Sequence, residues 1–550
     1  MAGPLSATIL RGRIATLAGE DGPAWVEAIG IEGGRVVAAG ALDDVRAALP
    51  ASAIETRLRE DEAALPGLTD SHLHLAEVAL AAVRVDLADA ATLDAGLRRV
   101  AAAAGDRAEG WIEGKGWDAD RWGRWPTAAD LERVAPGRAV ALWAHDHHAL
   151  WVSAEALRRA GVDRERADPD GGVIRRDEHG EPTGVLHESA ARLVMSRVPR
   201  PEAATIARAV TELVPQLLAL GVVALHDPGA LSLETGLGTA IAAYRSLAAD
   251  GRLGLRVHAC IRPEQLDTAL GEGHRSGAPL GEDPLGRLRF GWLKCFADGT
   301  LGSRTAALIE PLAAVPGEPL PPNDGFGVWM TEPAELAALA QRAAGGGIGT
   351  IIHAIGDQAV RASLDALAPT VGRSPVWPRL EHVQLVGADD LGRFAAAGVA
   401  ASVQPVHVRS DAAKARHLWG ARAEERGYPF GALDASGALV CFGTDAPVEP
   451  IDPWPGLACA VTRAAPTWPP GTPPFGPAHA MPLWRAIRAA ICNPARSAGE
   501  PDRGRLVPGQ RADVVVVPLE ALAEPVAVGG ALWSARPTRV LLDGEVVFER

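Results

Sequence analysis

The chain has 550 residues, 47% hydrophobic and 22% charged, with a net charge of −14 at pH 7. A chain of this length buries a sizeable core without staples, and its composition excludes long-range disorder, collagen and a coiled-coil rod. The acidic balance repels phosphate, which argues against a nucleic-acid or anionic-membrane binder.

At the start, MAGPLSATILRGRIATL has no clean apolar signal region, because Arg11 and Arg13 interrupt it. AIGIEGGRVVAAG then carries two short apolar runs around Gly33-Gly34, the pattern of a hairpin. The other end of the chain looks alike. ADVVVVP reads as a strand and RVLLDGEVVFE as a hairpin turning at Asp543-Gly544. The pattern predicts one small β-sandwich domain composed of residues 1–65 and 500–550.

Over 66–499, short apolar runs alternate with alanine-rich helical stretches such as PEAATIARAVTELVPQLLALG. The runs are ALPGLTDSH, GVVALHD, LRVHACI, GWLKCFADG, GTIIHAIGD, RLEHVQL, GVAASVQP and ALVCFGTD. Strands alternating with helices predict an α/β fold with a parallel sheet, and eight of them suit a (β/α)8 TIM barrel. RAVALWAHD and the turn-rich PDGGVIRRDEHGEPTG fall in an insertion at about 80–200, between the first and second barrel strands. This insertion is expected to cover the active-site mouth. No apolar run reaches the roughly 20 residues needed to span a bilayer. The five cysteines, Cys260, Cys295, Cys441, Cys459 and Cys492, are odd in number and form no CxxC pair. A reducing, cytoplasmic location is expected.

Several runs end in a metal-capable side chain, and in a barrel those ends converge on one mouth. His72 and His74 close the first run. Residues i and i+2 of a strand share a face, so both imidazoles reach one ion. Lys294 lies in GWLKCFADG, His353 in GTIIHAIGD, His382 in RLEHVQL and Asp445 in ALVCFGTD. Each alone has a bland reading: a chance HxH, a strand-end histidine, or a helix N-cap for Asp445. Their distribution over separate strands points to a metal centre.

Lys294 is the physically odd member. Only Lys115, Lys294 and Lys414 among the 54 basic residues are lysine. A buried ammonium is costly and repels cations. A neutral amine can instead take up CO2, giving a carbamate that bridges two ions; arginine cannot. The alternative is a salt bridge to Asp298 or Asp445.

The HxH, the strand-borne lysine, two histidines and the final aspartate resemble the pattern of the amidohydrolase superfamily. GWLKCFADGTLGSRTA, HAIGD, EHVQL, SVQP and FGTDAPV look like the amidohydrolase family 3 (YtcJ-like) branch, which includes N-substituted formamide deformylases. NPARSAGEPDRGRLVPGQRADVVVV is similar to that family's return into its β-domain. The resemblance implies a metal shell of His72, His74, Lys294, His353, His382 and Asp445. It implies two Zn2+ ions bridged by carbamylated Lys294; Mn, Fe or Co suit the same ligands. The implied reaction is hydrolysis of a non-peptide C–N bond, amide or formamide in type, in a small molecule. Asp445 would take the proton of the metal-activated water and return it to the leaving nitrogen. Deamination or ester hydrolysis on the same shell, and a non-catalytic scaffold, are the competing readings. A homodimer fits the resemblance.

Secondary candidates surround this set. HDHHALWVS offers Asp146, His148 and Trp151 as substrate-binding residues. The family's similar segment reads Asp-Gly-His; here His147 replaces the Gly, and Ser153 stands where Asn is usual. Asp298 and Arg304 follow the Lys294 strand, and Gln404 and His407 follow the seventh strand. All four are candidates for substrate contact or for supporting roles. His226-Asp227 is expected to support the site without ligating. Trp111, Trp117, Trp122, Trp125, Trp143 and Trp151 suit an apolar lid or ordinary core packing.

Overall fold

Eight parallel strands organise the larger part of the molecule: β1 (Leu68–Asp70), β2 (Val222–Asp227), β3 (Arg256–Ile261), β4 (Leu288–Phe296), β5 (Thr350–Ala354), β6 (Arg379–His382), β7 (Ala400–Val403) and β8 (Val440–Phe442). The structure, a computed structural model, describes residues 7–106, 110–144, 149–169, 171–229, 237–312 and 322–550. The strands pair in chain order, each parallel to the next. Between β8 and β1 the ring closes through Ser71 N donating to Phe442 O (2.9 Å) and Asp445 N donating to His72 O (2.7 Å). Gly443 permits this approach, since a Cβ there would lie 2.6 Å from His72 N. Asp70 fastens the seam, accepting from His72 N and Thr444 N (both 3.0 Å) and from Thr444 Oγ1 (2.6 Å).

Strands covered on both faces read as unbroken apolar runs, and β2, β3 and β5 are buried at every position. Helices cover the outside. Asp357–Leu367, after β5, buries Ala359, Val360, Ser363, Leu364 and Leu367, the spacing of one helical face. The expected (β/α)8 barrel is therefore the observed architecture.

Strands from both termini join in one eight-stranded sheet. Glu62–Pro66 pairs antiparallel with Val514–Pro518 and so brings the two ends of the chain together. Both foreseen hairpins are present. Gly33 and Gly34 turn one with φ of 56° and 76°; Asp543 and Gly544 turn the other with 52° and 78°. Two consecutive positive φ angles are what a tight two-residue hairpin turn requires.

A buried ion cluster ties this sheet to the barrel. Arg256, the first residue of β3, donates to both carboxylate oxygens of Asp513 (3.1 and 3.0 Å), and Arg503 Nε approaches the same group at 3.3 Å. Burial alone would raise the Asp513 carboxyl, but the two guanidiniums outweigh it and depress the pKa to about 2. A depressed carboxyl stabilises the fold above its unfolded value of roughly 4 and loses that contribution as pH falls toward its folded value. Urea midpoints should thus fall between about pH 4 and pH 2, and less steeply in Asp513→Asn. Equal slopes in the two proteins would remove this cluster from the acid response.

Residues 79–209 form a second compact unit, the first comprising 1–78 and 210–550. Its six-stranded sheet runs, in spatial order, Gly172–Arg176, Pro182–Glu188, Ala149–Val152, Val140–Ala144, Ile112–Trp117 and Val85–Asp86. Trp117 and Trp151 lie in its core and pack with Trp122, at ring-centroid distances of 5.9 to 6.4 Å within the trio. Trp111 is buried in a second core of the same unit, against which Trp143 packs. Ser153 caps the helix Ala154–Ala160, accepting from Ala156 N at 3.2 Å. Asp146 and His148, with His145 and His147, lie outside the described residues. Among the described residues, no helix is long and apolar enough to cross a membrane.

Candidate active site

The C-terminal ends of the barrel strands bring the six sequence-selected groups into one buried cluster. His72 Nε2 and His74 Nε2 lie 3.4 and 3.6 Å from Asp445 Oδ1. Ligand atoms of these three residues all fall within 4.8 Å of one another. The His382 ring is 5.0 Å from that of His72 and 4.4 Å from that of His353, and its Nδ1 is 3.9 Å from Asp445 Oδ2. Lys294 enters from β4, fully buried, with Nζ 4.8 Å above the Phe296 ring.

Backbone strain accompanies the gathering. His382, Val383 and Asp445 have φ of 74°, 48° and 60°. Left-handed conformations of non-glycine residues cost of order 1–3 kcal/mol each and persist where the surroundings enforce them.

Every imidazole has one nitrogen committed to the protein. His72 Nδ1 donates to Glu381 Oε2 (2.6 Å), and His74 Nδ1 to Gly229 O (3.1 Å). His382 Nδ1 donates to Gln404 Oε1 (2.9 Å), and His353 Nε2 to Gly299 O (3.1 Å). The second nitrogen of each ring therefore carries a lone pair. Burial, aided by the charge on Lys294, lowers His72 to about 4 and His353 to about 3, so both are neutral near pH 7. Burial would raise the Asp445 carboxyl; the imidazoles of His74, His72, His382 and His407 facing it hold it well below the usual carboxylate range. Four imidazoles with one carboxylate are the donor set of a divalent metal site. Lys294 Nζ adds an orphan: it is buried and has no hydrogen-bond partner among the described residues. Burial lowers it to about 8, against the pull of Glu381.

Sequence reading missed Glu381 and Arg379. The Glu381 carboxylate is completely buried, anchors His72 through one oxygen and accepts from Arg379 Nε through the other (2.6 Å). Arg379 also donates to Ser71 O (2.9 Å) and to His226 Nδ1 (2.9 Å). This supplies the supporting role expected of His226. Glu381 stood beside His382 in the EHVQL motif, but strand alternation sends neighbours to opposite faces. The left-handed turn at His382 lets both reach the centre. Glu381→Gln should weaken metal affinity about 10–100-fold, read by chelator competition. Unchanged affinity would remove Glu381 from the orienting role.

The secondary candidates separate by position. Asp298 makes no salt bridge to Lys294; its buried carboxylate is filled by Ala307 N, Ile355 N and Gly356 N at 2.8–3.0 Å, so it staples the loop beyond β4. Arg304 lies on that loop with φ of 58°. Gln404 orients His382, as described above. His407 accepts from Gln384 Nε2 (3.3 Å) and turns Nε2 toward Asp445 Oδ2 at 3.6 Å. Trp151 is fully buried in the core of the 79–209 unit, its indole donating to Thr127 O (2.8 Å), so it packs there instead of facing a pocket.

A closed parallel barrel with this donor set at its strand ends defines a metal-dependent hydrolase. The profile of the amidohydrolase family, Amidohydro_3, matches residues 60–548, and the chain belongs to that family. YtcJ of Bacillus subtilis is 29% identical over 536 residues, covering 95% of this chain and 96% of its own. The N-substituted formamide deformylase of Arthrobacter pascens is 26% identical over 547 residues, 95% of each chain. Among solved structures, a metal-dependent hydrolase from Pyrococcus furiosus superposes with a TM-score of 0.74 at 27% identity, covering 93% of this chain and 98% of that one.

Proposed function

We propose that the protein hydrolyses a non-peptide C–N bond, amide or formamide in type, in a small molecule. The observation that carries this reading is the position of Asp445. One buried, ionised carboxylate meets the free nitrogens of His72 and His74 on one side and the His407 imidazole on the other. That suits a group that accepts a proton from water and returns it to a leaving nitrogen. The relative named as a formamide deformylase supports the bond type.

His72, His74 and Asp445 would hold one ion, and His353 and His382 a second. Lys294, as a carbamate, would complete the set, and zinc suits its imidazole-rich ligands. When bound, the metal supplies Lewis acidity toward water and the substrate carbonyl. The chain itself holds the imidazoles in one tautomer, keeps the site dry, and carries the proton on Asp445. Five free thiols, four of them buried, fit a reducing cytoplasm.

Metal analysis with a substrate panel tests the reading. N-substituted formamides and simple amides should turn over in the metal-loaded protein. Turnover of esters alone, or of ring amines alone, would overturn the bond assignment. A protein that neither holds metal nor acts after reconstitution would be a scaffold.

A further inference from the structure

A cavity of about 610 Å3 opens on the barrel at the end away from the candidate metal centre. Its walls include Trp377, which precedes β6, and Leu439, which precedes β8, so it sits at N-terminal strand ends. Its volume falls within the range of about 300–1,000 Å3 typical of small-molecule sites. The lining is charged and unbalanced. Arg485, Arg488, Arg496, Arg503 and Arg505 face it with only three carboxylates, Glu20, Asp434 and Glu500. This excess of positive charge occurs in a chain whose net charge is −14.

Two of the acids are already engaged. Arg485 holds Asp434 in bidentate fashion at 2.7–3.2 Å, and Arg503 pairs with Glu500 at 2.5 Å. Arg496 lies 5.2 Å above the Trp377 ring, and neither it nor Arg505 pairs with a carboxylate among the described residues. Arg488 is 5% exposed, and its Nε has no hydrogen-bond partner among the described residues. Its Nη2 is tied to the carbonyls of Leu17 and Gly22 (both 3.3 Å) and of Gly19, so the guanidinium is held in place. Asn493 is fixed by donating to Val440 O at 2.8 Å. A held Arg488 stands beside Arg496 and Arg505, which have no carboxylate partner among the described residues, so the cavity presents uncompensated positive charge suited to an oxyanion.

We infer that this cavity binds a small molecule bearing an oxyanion group, phosphate or carboxylate, at a site separate from the hydrolytic centre. Arg496 and Arg505 supply the charge, and Arg488 and Asn493 shape the wall.

The test is calorimetric titration of the metal-loaded, full-length protein with inorganic phosphate and, separately, with succinate. Wild type should show saturable binding of at least one probe, and the one that binds names the oxyanion class. Both Arg496 and Arg505 are exposed, so R496A/R505A should fold. In that variant the affinity should fall about tenfold or more. The charge-reversing R505E should fall further, with circular dichroism reporting an intact fold for both. Hydrolytic turnover should be unchanged in either. Absence of saturable binding in wild type would overturn the site. So would equal affinity in wild type and both variants, since the anion would then be held at the metal centre or elsewhere.

Discussion

Asp445→Asn should lower kcat by about a hundredfold to ten-thousandfold, the usual contribution of a positioned acid–base group. The amide keeps the shape of the carboxylate and one oxygen donor, so metal content should change much less than turnover. The separation follows from geometry. His72 and His74 each bring a free nitrogen to within 3.6 Å of Asp445 and retain their anchors on Glu381 and Gly229 in the variant. What the variant loses is a site for the travelling proton. The measurement is kcat alongside metal stoichiometry. Near-normal turnover with full metal would take the proton-transfer role from Asp445. A parallel fall of both would make it a ligand alone.

The second large effect is expected at Lys294. Its amine is buried without a hydrogen-bond partner among the described residues, an arrangement that is unfavourable unless the nitrogen is neutral or modified. Lys294→Ala should reduce metal occupancy and cut turnover by about a hundredfold or more. A short carboxylate such as propionate should restore part of that loss by placing oxygens where the carbamate stood. Lys294→Arg keeps the positive charge but cannot take up CO2, so it should stay inactive with or without propionate. Native mass measurement of the wild type should show the added mass of one CO2, released on acidification. Full metal and full turnover in Lys294→Ala would end the bridging role.

The barrel was legible because its strands are short, apolar and regularly spaced, and because parallel strands covered on both faces leave few other readings. The clustered set was legible for a different reason: most of its members lie at or just past the ends of those runs. Other features depended on contacts distant in sequence. Glu381 reaches His72 across 309 positions, and Arg379 reaches Ser71 across 308. Nothing local in RLEHVQL announces either contact. Asp298 looked like a substrate ligand because it sits on a loop beside the lysine strand. Its three backbone donors come partly from residues near 355, which no reading of its own loop could supply. Trp151 was drawn toward the site by its histidine-rich neighbours, whereas the sheet around it makes it core.

The tethering of all four imidazoles has a wider consequence. A cage whose bars are fastened to its own frame keeps its form when emptied. Changing the ion then exchanges the contents and leaves the container as it was.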